Sequence, residues 1–445
     1  MKNILIYIAK YVITALYCLY TYKAYRVFNV KDEKKRDSML FTQNILMFLV
    51  HFIGFAILFM EDYEADYIML YAIEVVYLIG VLMAFSMIYK KASRILLNNM
   101  CMLITTGMII VGRLSADKAF KQFYIMAGAT VITMFIPVIM KKVKSLRSIP
   151  WLYGVAGIAM LLIVLVLGNV SYGANLSLTI AGITVAPGEF VKLIYVFFIA
   201  AMMYKSTSFR HVALTTFLAA LHVVILVLSK DLGAALIYFV VYVIMVYVAT
   251  KRIWYSVAGL GAGVIASVAA YHVFDHIRVR VMAFIDPWSI IDDKGYQITQ
   301  SLFSIGAGGW FGTGLTKGMP YRIPVAEKDF IFAAITEEMG VIVAIALILI
   351  CLNTFLMIMN VGIKCKNEFY KYLAAGLACM YGFQVFLTVG GAIKMIPLTG
   401  VTLPLVSYGG SSAVSTLIMF AVVQGLYLLS SEDERTKRNE KQKNG

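Results

Sequence analysis

The chain has 445 residues, of which 61% are hydrophobic and only 14% charged, with a formal net charge of +15. Soluble globular domains carry about 25% charged residues, so a soluble globule is excluded. The surplus of Lys and Arg does not indicate a nucleic-acid partner either, because it falls in short clusters between apolar runs and builds no basic face.

Apolar runs recur near 4–20, 39–59, 68–89, 97–112, 123–140, 151–168, 190–204, 212–229, 231–249, 253–274, 330–359, 371–393 and 411–430, thirteen in all. Long continuous runs mark membrane helices, and the lack of two-residue alternation excludes a barrel. The expected fold is an all-α polytopic membrane protein. No small-residue cleavage site follows the first run, which is therefore read as retained. The five cysteines form no CxxC pair and the five histidines no HExxH motif, so neither a disulfide framework nor a metal site is indicated.

The linkers at 22–37, 90–94, 141–147, 205–210, 251–252 and 364–371 are basic. They alternate with an acidic linker at 61–66 and nearly uncharged ones at 170–188 and 394–410, which places the basic set in the cytoplasm. The N-terminus then falls outside, against the charges of Lys2 and Lys10, unless the first segment lies in the interface. Residues 1–95 read as a three-segment accessory block with no legible chemistry. The tail, 431–445, reads as a disordered cytoplasmic extension.

Polar residues within the runs admit two readings. Glu74, Asn98 and Asn99 suit interhelical hydrogen bonds. Glu189 and Lys192 follow Pro187, which suits either a capped helix start with a snorkelling lysine or an ionisable pair lining a cavity. Asp231, in LSKDLGAAL, suits a helix cap. Two prolines and several glycines in 390–412 suggest a broken segment beside a cavity, since such breaks need protein or water to satisfy the backbone.

The long polar excursion at 275–329 lies on the outer face in this topology. It holds six glycines between Gly306 and Gly318 and three acids between Asp286 and Asp293. Its aromatic residues (Phe284, Trp288, Tyr296, Phe303, Trp310, Phe311) argue for a packed functional loop.

Six stretches in order, APGEFVK (186–192), KDLGAAL (230–236), DPW (286–288), GYQITQSLFSIGAGGWFGTGL (295–315), DFIFAAITEEMG (329–340) and PLTGVTLPLVSYGGSS (397–412), resemble the SEDS family of shape, elongation, division and sporulation proteins. The resemblance covers roughly 96–430 and implies a ten-helix core. Ala186 and Gly188 replace the family's usual Gln and Ser, and Val325 to Lys328 replace its usual Glu-Ala-His-Thr.

The resemblance implies a peptidoglycan glycosyltransferase that polymerises lipid II at the outer face of the bacterial cytoplasmic membrane, in elongation, division or sporulation. It makes Asp329 the expected catalytic base, a role that a positioned carboxylate can fill as the attacking hydroxyl loses its proton. Read alone, Asp329 is also a candidate helix cap, and Asp286 a turn opener. The leaving diphosphate calls for positive charge, for which Arg278, Arg280, Arg322, Lys328 and Lys394 are candidates. Glu189, Lys192, Asp286 and Ser407 complete the expected substrate contacts. Glu337 and Glu338 suit helix packing or a polar cavity. No cofactor is expected, and a class B penicillin-binding protein is the expected partner, since the chain has no domain that could crosslink. A precursor flippase and a non-catalytic scaffold are the rival readings.

Overall fold

A computed structural model describes residues 2–171, 174–180, 183–293 and 295–443. Thirteen of its helices are long and apolar enough to cross a membrane, and they fall on the thirteen apolar runs. In chain order the helices are α1 (Lys2–Arg26), α2 (Glu33–Asp62), α3 (Ala65–Ile88), α4 (Arg94–Leu114), α5 (Ala116–Thr133), α6 (Ile136–Lys142), α7 (Pro150–Leu167), α8 (Pro187–Lys205), α9 (Phe209–Leu228), α10 (Leu232–Thr250), α11 (Ile253–Val273), α12 (Asp275–Ile285), α13 (Tyr296–Gly308), α14 (Ile331–Met339), α15 (Val341–Lys364), α16 (Glu368–Ala392) and α17 (Gly410–Lys443). Their starts follow ordinary capping chemistry. Asp32 accepts from the Lys34 N–H at 2.9 Å, Asp231 caps α10 through the Ala234 N–H at 3.0 Å, and prolines open α7 and α8.

The chain divides into two compact units. The first comprises Met1–Val131, Val281–Thr354 and Val385–Ala413. In it α4 is buried along its whole apolar length. Its polar residues are matched by neighbours, as the absence of water inside a membrane demands. The Asn98 side chain donates to Leu40 O at 3.0 Å and to Gln43 at 3.1 Å. Asn99 donates to Asn353 at 2.8 Å and accepts from the Tyr20 hydroxyl at 3.2 Å, while Tyr17 meets Thr106 at 2.7 Å. Glu74 pairs with His51 at 2.7 Å between α3 and α2, both side chains buried. The interhelical reading of these polar residues therefore holds.

Helix α1 is held at two places: Lys10 bonds Gly312 O at 3.1 Å in the loop after α13, and Tyr25 bonds Leu349 O at 2.9 Å on α15. By length and composition α1 is able to cross a membrane. Lys2 pairs with Glu61 at 3.0 Å, so the two lysines that fit poorly with an outer N-terminus have partners at that end.

The second unit comprises Ile132–Arg280, Phe355–Gln384 and Val414–Gly445. It contains one departure from a purely helical chain, a small antiparallel sheet of β1 (Asn169–Ser171), β2 (Ala174–Ile180) and β3 (Ile183–Val185) in that spatial order. Thr179 opposes Thr184 in the register, their hydroxyls 3.3 Å apart, in a short, uncharged and β-branched stretch that favours strand pairing.

Two expectations are corrected. The apolar run at 330–359 is two helices, not one. Gly340 (φ +90°) separates α14 from α15, and a Cβ there would sit 2.4 Å from Gly312 N, so the backbone turns where only glycine fits. The tail expected to be disordered instead continues α17 to Lys443. It contains no proline, its single glycine is the final residue, and Glu and Lys recur at helical spacing, which suits helix extension.

Candidate functional site

Asp329 lies half-buried in the turn before α14. The N-cap position falls on Phe330, so Asp329 stands one residue outside the cap it was a candidate for. Its carboxylate faces the backbone at Gly400: a Cβ built on that residue (φ +76°) would be 3.7 Å from Asp329 Oδ2. Gly400 is exposed and belongs to the irregular stretch between α16 and α17, which confirms the broken segment read from its prolines and glycines. A carboxylate set against an exposed, side-chain-free backbone is reachable by a ligand.

The chain just before Asp329 is clamped to this stretch. The Ser407 hydroxyl donates to Lys328 O at 2.6 Å and accepts from Leu403 N at 2.9 Å, while Tyr408 N donates to Glu327 O at 2.7 Å. Ser407 is buried and its hydroxyl is committed to these bonds, so the structure gives it a positioning place beside Asp329. Gln122, on α5, completes the clamp. Its buried amide donates to Ser407 O at 3.1 Å and accepts from Gly409 N at 2.9 Å. Lys118, one turn earlier, forms an ion pair with Glu327. Neither was singled out from the sequence. A glutamine at the mouth of an apolar run was the available signal, and its partners lie more than 280 positions away.

The glycine-rich loop after α13 packs on the far end of α14. Thr313 N and Gly314 N donate to Glu337 O and Glu338 O at 2.9 and 3.0 Å, and Met319 N donates to the Glu337 carboxylate at 2.7 Å. At Gly312 (φ +79°) a Cβ would lie 2.2 Å from Glu338 O, which explains the glycine. Glu338 is buried and paired with Arg113 at 3.2 Å. Burial pushes its carboxyl up to about 7, with Arg113 pulling the other way. A raised carboxyl pKa favours the folded state while the group is protonated, and that contribution fades between about pH 4.5, its ordinary value, and about 7. The wild type is therefore expected to lose thermal stability relative to Glu338→Gln as pH rises through that window. Parallel melting curves that do not diverge would contradict this.

The expected cationic contacts are dispersed. Arg278 pairs locally with Asp275 at 3.4 Å, and Arg322 is exposed in a 3-10 turn spanning Pro320–Arg322. Lys328 adjoins Asp329, and Lys394 (φ +56°) bonds Ile285 O at 3.5 Å, one residue before Asp286. Asp286 itself forms a turn by accepting from Trp288 N and Ser289 N at 3.2 and 3.3 Å. Its turn-opening reading is thus the one the geometry shows.

In the second unit, Lys192 donates to Glu189 at 2.6 Å and to Gln384 at 2.8 Å, and Ser415 donates to the same Glu189 oxygen at 3.2 Å. Only 6% of the Lys192 side chain is exposed, against 26% for Glu189. This is an interhelical polar cluster among α8, α16 and α17, more than the capped start with a snorkelling lysine. Burial raises the pKa of Asp231, with its cap bond to Ala234 and the charge of Arg280 opposing that shift. Among the described residues no group of three or more His, Cys, Asp or Glu side chains could hold a metal ion.

A family model described as "Cell cycle protein" (FtsW/RodA/SpoVE) matches residues 94–431. The peptidoglycan glycosyltransferase RodA of Mycobacterium tuberculosis (strain H37Rv) is 33% identical over 316 residues, 67% of this chain and 66% of the relative. The chain thus spans just under two thirds of that protein's length. RodA of Mycobacterium leprae is 33% identical over 71% of this chain and 70% of its own. The probable peptidoglycan glycosyltransferase FtsW of Pseudoalteromonas translucida is 30% identical over 75% and 87%. A solved structure described as showing the coordination of polymerization and crosslinking by a peptidoglycan synthase complex superposes with a TM-score of 0.65 at 24% identity, covering 76% of this chain and 97% of that one. The crystal structure of RodA from Thermus thermophilus gives 0.58 at 22%, with the same coverage.

Proposed function

The chain belongs to the FtsW, RodA and SpoVE family of cell cycle proteins, a multi-pass bacterial membrane protein, and from that premise we propose that it is a peptidoglycan glycosyltransferase that polymerises lipid II. The observation that carries this reading is the Asp329 carboxylate, preceded by two residues whose backbone is clamped and set against the exposed backbone of Gly400.

In the proposed step a sugar hydroxyl of one lipid II attacks the anomeric carbon of the other chain end. The new glycosidic C–O bond forms as the bond to the lipid diphosphate breaks. The diphosphate leaves with the electron pair, and Asp329 takes the hydroxyl proton as general base. Lys328, Arg322 and Lys394, in the same unit, are the proposed sources of charge for the leaving diphosphate. Asp286, in that unit as well, is proposed as a further contact, with no cofactor in the step. A class B penicillin-binding protein is the proposed partner, supported by the likeness to a complex that couples polymerization with crosslinking.

The test places purified protein in vesicles with fluorescent lipid II and follows strand formation and transbilayer movement together. Strands without accelerated movement support the polymerase. Accelerated movement without strands supports the flippase instead.

A further inference from the structure

Within the first unit, one face of α1 meets the glycine-rich loop. Three residues at helical spacing, Lys2, Ile6 and Lys10, look toward the glycine-rich loop. Lys2 reaches Glu61 at 3.0 Å, and Glu61 in turn holds Lys317 of the loop at 3.2 Å. Ile6 is buried, and its Cγ2 would lie 3.4 Å from a Cβ at Gly314. Lys10 donates to Gly312 O at 3.1 Å, and the Tyr11 ring packs on Phe311 with centroids 5.0 Å apart. The contacts thus run from Phe311 to Lys317 on the loop and from Lys2 to Tyr11 on the helix.

The same loop is bonded from its other side to the C-terminal end of α14, the helix that begins two residues after Asp329. It carries three glycines at positive φ, Gly309, Gly312 and Gly314, and Thr316 at φ +75°. A non-glycine residue in that region costs on the order of 1 kcal/mol or more and persists only where its surroundings impose it. Here Arg113 holds Thr316 O at 3.5 Å, and α1 contacts the residues just before it at Phe311, Gly312 and Gly314.

We propose that α1 is a permanent brace for the glycine-rich loop, with Lys10 as a positioning residue that acts on the Asp329 site through α14. This rests on the polymerase reading for its activity readout only. The brace explains why the accessory helices are packed into the first unit by matched polar contacts along α4 and α15, an arrangement suited to a fixed wall and not to a detachable regulator.

The test uses the full chain. Lys10→Met and Lys10→Arg are compared for polymerisation kinetics and for amide hydrogen exchange in 309–318. In a Cys18→Ala background, Tyr11→Cys with Phe311→Cys is joined by a short bis-methanethiosulfonate, which forms a disulfide at each cysteine and releases methanesulfinate. Lys10→Met should lower kcat roughly tenfold with KM within about twofold, and should speed exchange in the loop. Lys10→Arg should restore both, and the cross-linked protein should keep its activity. Unchanged exchange and kcat in Lys10→Met would overturn the proposal. So would loss of activity on cross-linking, because α1 would then have to release the loop during turnover. If the wild type makes no strands, the polymerase reading fails separately, and the exchange comparison alone decides the brace.

Discussion

Asp329→Asn is expected to reduce glycan polymerisation by about a thousandfold while the protein remains folded and binds lipid II. General-base catalysis contributes about 10²- to 10⁴-fold, and an amide of the same shape cannot accept the hydroxyl proton. The substitution is mild for the fold, because the clamps that hold this segment run through the backbone of Glu327 and Lys328 and the side chain of Ser407. Asp329→Glu should recover little, since the longer side chain moves the carboxylate from its place against Gly400. Strand synthesis by Asp329→Asn at more than about a tenth of the wild-type rate would move the base elsewhere.

Glu189→Ala is expected to have the largest effect on stability. Its loss leaves the Lys192 ammonium, 6% exposed, with Gln384 as its remaining hydrogen-bond acceptor in the cluster. Breaking a buried pair by removing one partner costs about 3–5 kcal/mol, because the other charge stays uncompensated. The exposure of Glu189, 26%, places the expected loss near the lower end, about 3 kcal/mol. Glu189→Gln keeps an acceptor for Lys192 and should recover part of this. A thermal midpoint of Glu189→Ala indistinguishable from wild type would show that the pair is solvated and carries no structural load.

The membrane architecture was legible because each span is a long apolar run, and that signal is local. The break at Gly340 was not, because a single glycine inside an apolar run is equally compatible with a continuous helix. It becomes necessary only where Gly312 packs against it, 28 positions earlier. Asp329 was legible through the motif DFIFAAITEEMG, and Glu189 with Lys192 through their spacing. The role of Ser407 was less so: its residue type suits a substrate contact, and only the fold shows its hydroxyl committed to Lys328 O and Leu403 N. Gln122 and the loop-facing stripe of α1 were hidden for the same reason. Their partners are about 300 positions away, and nothing in a local pattern records such a contact.

The central claim is tested most directly by incubating the purified protein with labelled lipid II, alone and with the proposed class B penicillin-binding protein partner, and resolving the products by length. The account predicts a ladder of glycan strands from the wild type and none from Asp329→Asn. Folded wild-type protein that yields no strands in either condition would contradict it.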